Sequence, residues 1–300
     1  MSPAATTAMP GAPSGTAPAP AVAVLRPRPS QRVLKASALA IGAANALRHA
    51  VRGYRTPRPR AATSPEEELA YARGVVARWT GDGGIELAGA RVLEVGPGFS
   101  LATGLLALAH GAAAYRAIDR FDVRMDGAHD VHAQIARALQ VPGRERDLAY
   151  GLVTFPDLPE LPDGAHDAIV SNATFEHVDD VEATFRALRR AAAPGARMAH
   201  WIDGRTHTRP FNLRDPLSMY RFAPRTYERV LGFPGAPNRL LADDYVRAAR
   251  AAGWRDARIV PDLELDAAYV DAVHPHLARP YRERPPQAFR PLHYTLVAAA

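Results

Sequence analysis

The sequence predicts an α/β fold built on a doubly wound, mostly parallel sheet, and three observations support this prediction. Short apolar segments alternate with helical ones from residue 91 to the C terminus. Gly96 and Gly98 form a glycine-rich turn directly after the first apolar segment, and Asp119 ends the second. Ligands of open parallel sheets bind at the carboxyl ends of the strands, which is where these residues fall.

The apolar segments have the length and composition of buried strands, and the segments between them carry helical periodicity. Strands are predicted at residues 91–95, 115–118, 152–155, 168–171, 197–202, 257–260 and 293–298. Helices are predicted at residues 65–79, 100–110, 131–139, 181–192 and 241–252. The stretch 203–240 is predicted to be an insertion between the fifth strand and the next helix.

The N-terminal part differs in composition from the rest of the chain. Residues 1–65 hold nine basic residues and no acidic residue. The rest of the chain holds 28 basic and 31 acidic residues, so it is mildly acidic. Residues 1–30 are rich in proline and alanine, and we predict a disordered tail there. We expect a basic helix and linker at residues 31–62, and one domain from residue 63 to residue 300.

The basic helix at residues 31–54 is too short and alanine-rich for a membrane span. We expect it to pack on the domain or to cap its active site. There are two alternatives. The helix could contact a membrane surface through its cationic ends, or it could serve in targeting. The absence of cysteine excludes disulfides and thiolate metal sites, and we expect a cytoplasmic protein. Because the folded part is mildly acidic, no nucleic-acid partner is expected.

The most informative segment is the first predicted strand and the turn after it. Glu94 lies near the strand end, and Gly96 and Gly98 then turn the chain into a helix. Glycine lets a ligand approach the backbone closely, and a helix N-terminus offers free N–H groups. Asp119 stands 25 residues after Glu94, at the end of the second strand. A carboxylate at that position can accept both hydroxyls of a ribose.

A nicotinamide-dependent dehydrogenase is the main alternative for such a turn. Its G-x-G-x-x-G/A fingerprint needs a small third residue, and Leu101 occupies that position. An acid just before the glycines would repel a pyrophosphate, but it would attract the ammonium group of a sulfonium ligand's amino acid part. The pattern therefore favours a sulfonium ligand over a dinucleotide.

These segments resemble the motifs of the class I S-adenosylmethionine-dependent methyltransferases over about residues 70–260. Glu94-x-Gly-Pro-Gly98 is similar to the first motif of that family, and Asp119 to its second acidic position. Residues 167–177 resemble the fourth motif, and residues 193–197 resemble the turn before the fifth strand. The resemblance implies a Rossmann-like sheet of seven strands with an antiparallel last strand, and S-adenosylmethionine as the cofactor.

The resemblance also implies which residues bind that cofactor. They are Glu94, Gly96, Pro97 and Gly98 for the methionine part, Asp119 for the ribose, Arg120 beside the adenine, and Asn172 and Ala173 on the methyl-transfer face. The family commonly has an acid after the third strand that meets the adenine amino group. Asp157 lies closer to the fourth strand than that position, so this contact stays unassigned.

Two segments could supply catalytic side chains on the acceptor side. Methyl transfer from a sulfonium is an in-line displacement, and it needs a general base only when the acceptor proton has a high pKa. Glu176 and His177 follow the fourth strand, either as catalytic residues or as supports for the next helix. Asp203 and His207 follow the fifth strand. They could form a base, a loop-fixing hydrogen bond or, with His200, a divalent-metal site. We expect catalytic roles for these four residues and no resident metal.

The insertion is rich in aromatic residues and prolines. It is either an aromatic lid over the acceptor or a packing excursion that covers the edge of the sheet. Asn238 and Arg239 are expected to border the acceptor pocket.

The predicted function is methyl transfer from S-adenosylmethionine to a small-molecule or saccharide acceptor, onto oxygen. One alternative is a non-catalytic protein that binds S-adenosylmethionine or scaffolds a complex. The other is a nucleic-acid methyltransferase anchored by the basic tail. Asn172 is followed by Ala-Thr-Phe and not by Pro-Pro-Tyr/Phe, which argues against transfer to the exocyclic amine of a base.

Overall fold

A computed structural model of the chain describes residues 21–22, 30–52, 64–122, 128–208, 211–233 and 235–300. Most of the predicted disordered tail and most of the linker after residue 52 lie outside these ranges.

One mixed sheet forms the centre of the molecule. Its strands are β1 Ala21–Val22, β2 Arg91–Val95, β3 Ala114–Asp119, β4 Leu148–Leu152, β5 His166–Asn172, β6 Ala192–Asp203, β7 Arg255–Leu265 and β8 Pro291–Ala299. Their order across the sheet is β1-β7-β8-β6-β5-β2-β3-β4. β8 runs antiparallel to both β6 and β7, and the other neighbouring pairs are parallel. The predicted seven-stranded sheet with an antiparallel last strand is confirmed, and β1 adds a short strand beside β7.

The helices cover both faces of this sheet. They are α1 Gln31–Arg52, α2 Pro65–Thr80, α3 Ala102–Ala109, α4 Ala128–Ala138, α5 Val181–Ala191, α6 Phe211–Arg214, α7 Pro224–Thr226, α8 Ala242–Ala251, α9 Ala267–Val273 and α10 Arg279–Arg282. Single turns of other helix types lie at Arg144–Asp147, Phe175–His177, Ser218–Arg221, Tyr227–Leu231, His274–His276 and Pro286–Phe289.

The two cores follow from the alternation of side chains along the strands. Val92 of β2 packs on one face with side chains of α2 and α3, such as Trp79 and Leu105. Leu93, the next residue, packs on the other face with side chains of α5 and α8, such as Phe185 and Tyr245. The strand order reverses between β2 and β5, so the connections diverge there and leave a crevice at the strand ends.

The third predicted strand is placed too late in the sequence. The strand is Leu148–Leu152, and residues 153–155 belong to the loop after it. β4 is an edge strand, and none of its five residues is buried, so its apolar pattern is weak. The apolar side chains that suggested a strand at 152–155 include Phe155, which lines a cavity instead.

The helical segment from α9 to Pro286–Phe289 is absent from the sequence prediction. Its elements are all shorter than eight residues, which is too short to show a helical period. Tyr269 and Val270 of α9 nevertheless pack with Leu217 and Met219 of the insertion. The insertion is thus held by a C-terminal segment that lies far from it in sequence.

α1 packs on the insertion. Leu34 and Ala38 are buried against Phe211, Phe222 and Leu231. No helix among the described residues is both long enough and apolar enough to cross a membrane.

Candidate active site

A cavity of about 320 Å³ lies at the carboxyl ends of β2, β3 and β5. Its size is in the range of small-molecule and cofactor sites. The lining residues come from the strand ends, the loop after β5 and the insertion. They are Gly96, Gly98, Phe99, Asp119, Arg120, Phe121, Phe155, Pro156, Ala173, Thr174, His177, Val178, Asp179, Asp180, Thr184 and Gly235.

The glycine turn forms one wall of this cavity. Gly96 and Gly98 both have positive φ, at 67° and 76°, a conformation that favours glycine. A Cβ on Gly96 would lie 2.4 Å from the Thr174 hydroxyl oxygen, whereas a Cβ on Gly98 would meet nothing within 4 Å. The backbone at Gly98 therefore faces open space. Pro97, between them, is not among the lining residues.

Asp119 and Arg120 stand where β3 ends. The Asp119 carboxylate accepts a 3.0 Å hydrogen bond from the Phe121 amide, and burial raises its pKa. The Arg120 guanidinium donates to the His177 carbonyl oxygen at 3.2 Å and forms an ion pair with Asp179 at 3.3 Å. Arg120 thus ties the end of β3 to the loop after β5.

The far end of the cavity is apolar. Phe121, Phe155 and Pro156 line it, and none of them was predicted as a site residue. Asp157 does not line the cavity. The sequence signal for this end is the apolar run before Pro156, whose pattern predicts a strand.

Glu94 lies behind the glycine turn and is only 1% exposed. Its Oε2 accepts hydrogen bonds of 2.6 Å from the hydroxyls of Thr103 and Tyr115. Burial raises the pKa of Glu94 to about 7, although these two hydrogen bonds act in the opposite direction. The carboxylate thus joins α3 to β3 and is not among the lining residues of the cavity.

Asn172 and Ala173 occupy the end of β5. The Asn172 side chain accepts a 2.8 Å hydrogen bond from Arg78 and donates one of 3.0 Å to the Tyr71 hydroxyl. Both groups of the Asn172 side-chain amide are therefore hydrogen-bonded to residues of α2. Ala173 lines the cavity and has a φ of 52°, which turns the chain into the Phe175–His177 turn.

A second cavity, of about 60 Å³, lies between α1 and the insertion. Apolar and aromatic side chains dominate its wall, and α1 contributes small residues. The lining residues are Ala38, Gly42, Asn45, Thr206, His207, Thr208, Ser218, Met219, Phe222, Tyr227, Leu231, Phe233 and Pro237.

His177 and His207 connect the two cavities. His177 lines the larger one and His207 the smaller one. Their rings meet edge to face, with 4.9 Å between the centroids. Burial lowers the pKa of both imidazoles, that of His177 to about 4, so both are neutral at pH 7. The two rings form the boundary between the cavities.

Glu176, the neighbour of His177, is 2% exposed. Burial and the charge of Asp203 raise its pKa, and neither carboxylate oxygen has a hydrogen-bond partner of ordinary geometry among the described residues. Such a group is costly to keep ionised in an apolar environment.

Asp203 is tied to residues other than His207. Its carboxylate accepts a 2.8 Å hydrogen bond from the Arg205 side chain and lies 3.2 Å from His293 Nε2. The His207 Nδ1 lies 3.1 Å from the Arg205 carbonyl oxygen. The predicted hydrogen bond between Asp203 and His207 is therefore not formed. The pairing of β8 with β6 brings His293 to Asp203 instead.

The insertion also fixes the loop that carries Glu176 and His177. The Asn238 side-chain amide donates to the carbonyl oxygens of Phe175, at 2.8 Å, and Val178, at 2.9 Å. Its backbone amide donates to the Glu176 carbonyl at 2.7 Å. Arg239 is buried and its guanidinium lies 3.9 Å from the centroid of the Tyr227 ring. Asn238 thus contacts the loop itself, whereas Arg239 stabilises the insertion.

His200 is separate from this site. It is fully buried, its Nδ1 lies 2.9 Å from the Ser171 hydroxyl, and its ring packs on Phe175. Burial lowers its pKa to about 3, so it is a neutral core residue.

Part of this sequence is similar to the sequences of known proteins. Residues 93–200 match the profile of a family described as a methyltransferase domain. A malonyl-[acyl-carrier protein] O-methyltransferase from Chlorobium phaeovibrioides is 33% identical over 109 residues, which cover 36% of this chain and 38% of that protein. The match thus spans less than half of that relative.

Two solved structures are also similar. An S-adenosylmethionine-dependent methyltransferase from Mesorhizobium loti has 17% identity and a TM-score of 0.46, over 78% of this chain and 97% of that one. A geranyl diphosphate C-methyltransferase from Streptomyces coelicolor has 16% identity and a TM-score of 0.46, over 77% of this chain and 78% of that one.

The sheet order, with a glycine turn and a carboxylate at neighbouring strand ends, defines a nucleoside-binding α/β domain. The family match narrows this class. Over residues 93–200 the chain is similar to a methyltransferase domain, which supports S-adenosylmethionine as the cofactor.

Proposed function

We propose that this protein transfers the methyl group of S-adenosylmethionine to an oxygen atom of a small-molecule or saccharide acceptor. The observation that carries the proposal is the contact of His177 with His207 at the boundary of the two cavities. The larger cavity would hold the cofactor, and the smaller one would receive the acceptor. Neutral imidazoles would then lie where a hydroxyl proton must be removed.

The larger cavity suits S-adenosylmethionine in size and in the chemistry of its wall. In this proposal, the methionine part lies along the open backbone at Gly98 and the ribose hydroxyls bind Asp119. The adenine lies between the apolar side chains of Phe121, Phe155 and Pro156. Arg120, Asn172 and Ala173 support this arrangement by fixing the strand ends, and Glu94 supports it from behind the turn.

S-adenosylmethionine supplies a methyl group that is already activated by its bond to a sulfonium sulfur. Positioning of the acceptor in line with that bond then provides most of the rate increase. The Phe175–His177 turn borders the line of approach, and Asn238 and Arg120 hold that turn by hydrogen bonds to its carbonyl oxygens. These contacts keep the acceptor face rigid.

A hydroxyl acceptor also needs a group that accepts its proton. His177 is neutral at pH 7, because burial lowers its pKa to about 4. Its imidazole is therefore free to accept a proton but is a weak base, so the rate depends on the acidity of the acceptor hydroxyl. His207 packs beside it with one part of the residue in contact with solvent, so a proton taken up at this boundary can leave to solvent. A neutral amine acceptor would not need this pair, because its nitrogen attacks through a free lone pair.

The relative from Chlorobium phaeovibrioides is named as an O-methyltransferase, which is consistent with an oxygen acceptor here. Its named acceptor is an acyl group on a carrier protein. Since the match covers 38% of that protein, we propose the acceptor atom and not the carrier-bound substrate.

The test is a screen with S-adenosylmethionine that carries a labelled methyl group. Phenols, sugars, free and carrier-linked carboxylic acids, and amines of matched skeleton are offered, and products are identified by mass spectrometry. We expect label on oxygen, and we expect His177→Gln to lower kcat about 100-fold or more. His276→Gln, in an exposed turn, serves as the control. Transfer to amines alone would contradict the proposal.

The same screen separates the two alternative functions. A protein that only binds or senses S-adenosylmethionine would show calorimetric binding without any turnover. A nucleic-acid methyltransferase would label DNA or RNA, and its binding to them would weaken steeply with salt.

A further inference from the structure

Three side chains at the boundary between the cavities form a cluster of metal-ligand type. Glu176, His177 and His207 each bring one ligand atom to within 4.8 Å of the other two. Glu176 and His177 come from the turn after β5, and His207 comes from the start of the insertion. The contact between these two segments creates the cluster, so sequence spacing did not reveal this set.

A second observation points to a ligand. Glu176 is 2% exposed, and neither of its oxygens makes a hydrogen bond of ordinary geometry with a described residue. The backbone amides of Glu176 and Asp203 offset only part of the effect of burial on its pKa, which stays raised. Arg205, whose charge lowers the pKa of Glu176, is engaged by Asp203 at 2.8 Å. The His177 Nδ1 is also buried without a hydrogen-bond partner. A buried carboxylate without a partner is unfavourable unless a cation or a donor compensates for it.

We propose that Glu176, His177 and His207 bind one divalent transition-metal cation at the acceptor side of the active site. Two imidazoles and one carboxylate favour zinc, iron, cobalt, nickel or manganese over magnesium and calcium, which prefer ligand sets made of oxygen atoms alone. Bond lengths of about 2.0–2.2 Å require the three side chains to close on the ion by small rotations.

The position of His207 gives the cation an open side. His207 is exposed and lines the second cavity, whereas Glu176 is enclosed. Three protein ligands leave coordination positions free, as in catalytic metal sites. Those positions face the cavity that α1 covers, so an acceptor oxygen entering there would reach the ion.

The inference rests on the proposed function for the position of the acceptor, and it assigns the activation of the hydroxyl to the cation. A coordinated hydroxyl loses its proton more readily, because the ion stabilises the oxyanion. The proton leaves to solvent past His207. The oxygen then forms a bond to the methyl carbon while the bond from that carbon to the sulfonium sulfur breaks, which leaves S-adenosylhomocysteine. In this scheme the two imidazoles are ligands, so the cation replaces His177 as the group that activates the hydroxyl.

The test measures metal binding directly, on full-length protein without a histidine tag. The chelator-treated protein is titrated with Zn²⁺, Mn²⁺ and Co²⁺ by calorimetry, and bound metal is measured by elemental analysis. We expect about one ion per chain and a visible absorption band with Co²⁺. Glu176→Gln and His207→Ala are expected to weaken binding about 10-fold or more, whereas His276→Ala leaves it unchanged. His207 is exposed, so this variant tests the site even where Glu176→Gln fails to fold.

Two results would overturn the site. One is no bound ion in a protein that still binds S-adenosylmethionine, and the other is a metal affinity in both variants equal to that of the unmodified protein. Activity separates this inference from the proposed function. Oxygen methylation at full rate by the metal-free protein would overturn the metal proposal alone. If these residues bind the metal but the protein methylates only amines, the metal site is supported and the proposed function is contradicted.

Discussion

The Tyr115 hydroxyl donates a hydrogen bond of 2.6 Å to Glu94 Oε2 directly behind the glycine turn. Tyr115 and Glu94 lie on neighbouring strands, and both are buried. This bond joins two strands whose ends border the larger cavity. The position of the turn therefore depends on a buried acid, and this makes stability sensitive to pH.

Glu94 is expected to make the protein less stable as the pH rises from about 4.5 to 7. Burial raises its pKa in the folded state to about 7 from an ordinary value of 4.5, so the folded state binds more protons in this window. The contribution is fully present below pH 4.5 and is lost above pH 7. Each unit of pKa difference corresponds to about 1.4 kcal/mol.

Urea unfolding at several pH values without ligand measures this effect. Glu94→Gln keeps an acceptor for the Tyr115 hydroxyl and should flatten the pH dependence between pH 5 and pH 8 relative to the unmodified protein. Glu182→Gln, at an exposed site, is the control. An unchanged slope in the Glu94 variant would contradict the assignment.

Gly104 of α3 is expected to be intolerant of a side chain. A Cβ there would lie 2.4 Å from the Tyr115 ring, which is buried and fixed by Glu94. Gly104→Ala should lower the free energy of unfolding by about 1–3 kcal/mol. Gly74→Ala in α2 meets nothing within 4 Å and should be neutral or slightly stabilising. Thermal unfolding of the two variants gives the comparison, and equal effects would contradict the packing at Tyr115.

Asn238 is expected to act as a positioning residue for the turn that carries Glu176 and His177. Asn238→Ala removes two hydrogen bonds to carbonyl oxygens of that turn, each worth about 1 kcal/mol. We expect kcat for methyl transfer to fall while the dissociation constant for S-adenosylmethionine changes little. Gln287→Ala, at an exposed position, is the control. A fall in cofactor affinity with unchanged kcat would contradict this role.

The face of α1 that lines the second cavity is expected to affect the acceptor and not the cofactor. Ala38→Leu should fill part of that cavity and raise KM for the acceptor, with unchanged affinity for S-adenosylmethionine. Ala40→Leu makes the same change at an exposed position of the same helix. Steady-state kinetics and calorimetry on both variants separate the two effects. Equal KM values would indicate that the acceptor binds elsewhere.

Local sequence patterns were sufficient for the central part of this fold. The glycine turn after β2 and the acid at the end of β3 follow from strand length, φ requirements and the topology of open sheets, and both line the cavity. The alternation along β6 also predicted that His200 and Asp203 lie on opposite faces, and His200 is a core residue.

The rest depends on contacts between distant parts of the chain. Asp203 finds His293 because β8 pairs with β6, and this pairing joins segments 90 residues apart. The second cavity requires α1, the insertion and their packing through Leu34 and Leu231. Local periodicity contains no information on such pairings, so the boundary between the cavities and the cluster around Glu176 could not be derived from the sequence.

We propose that the cavity at the ends of β2 and β3 binds S-adenosylmethionine with Asp119 on the ribose. Calorimetric titration with S-adenosylmethionine and S-adenosylhomocysteine tests it most directly. Asp119→Asn is compared with Asp163→Asn, an exposed aspartate paired with Arg190. We expect both ligands to bind the unmodified protein, and we expect Asp119→Asn to weaken both by about 10-fold or more, with Asp163→Asn unchanged. Equal affinity in the two variants would contradict the proposed binding mode.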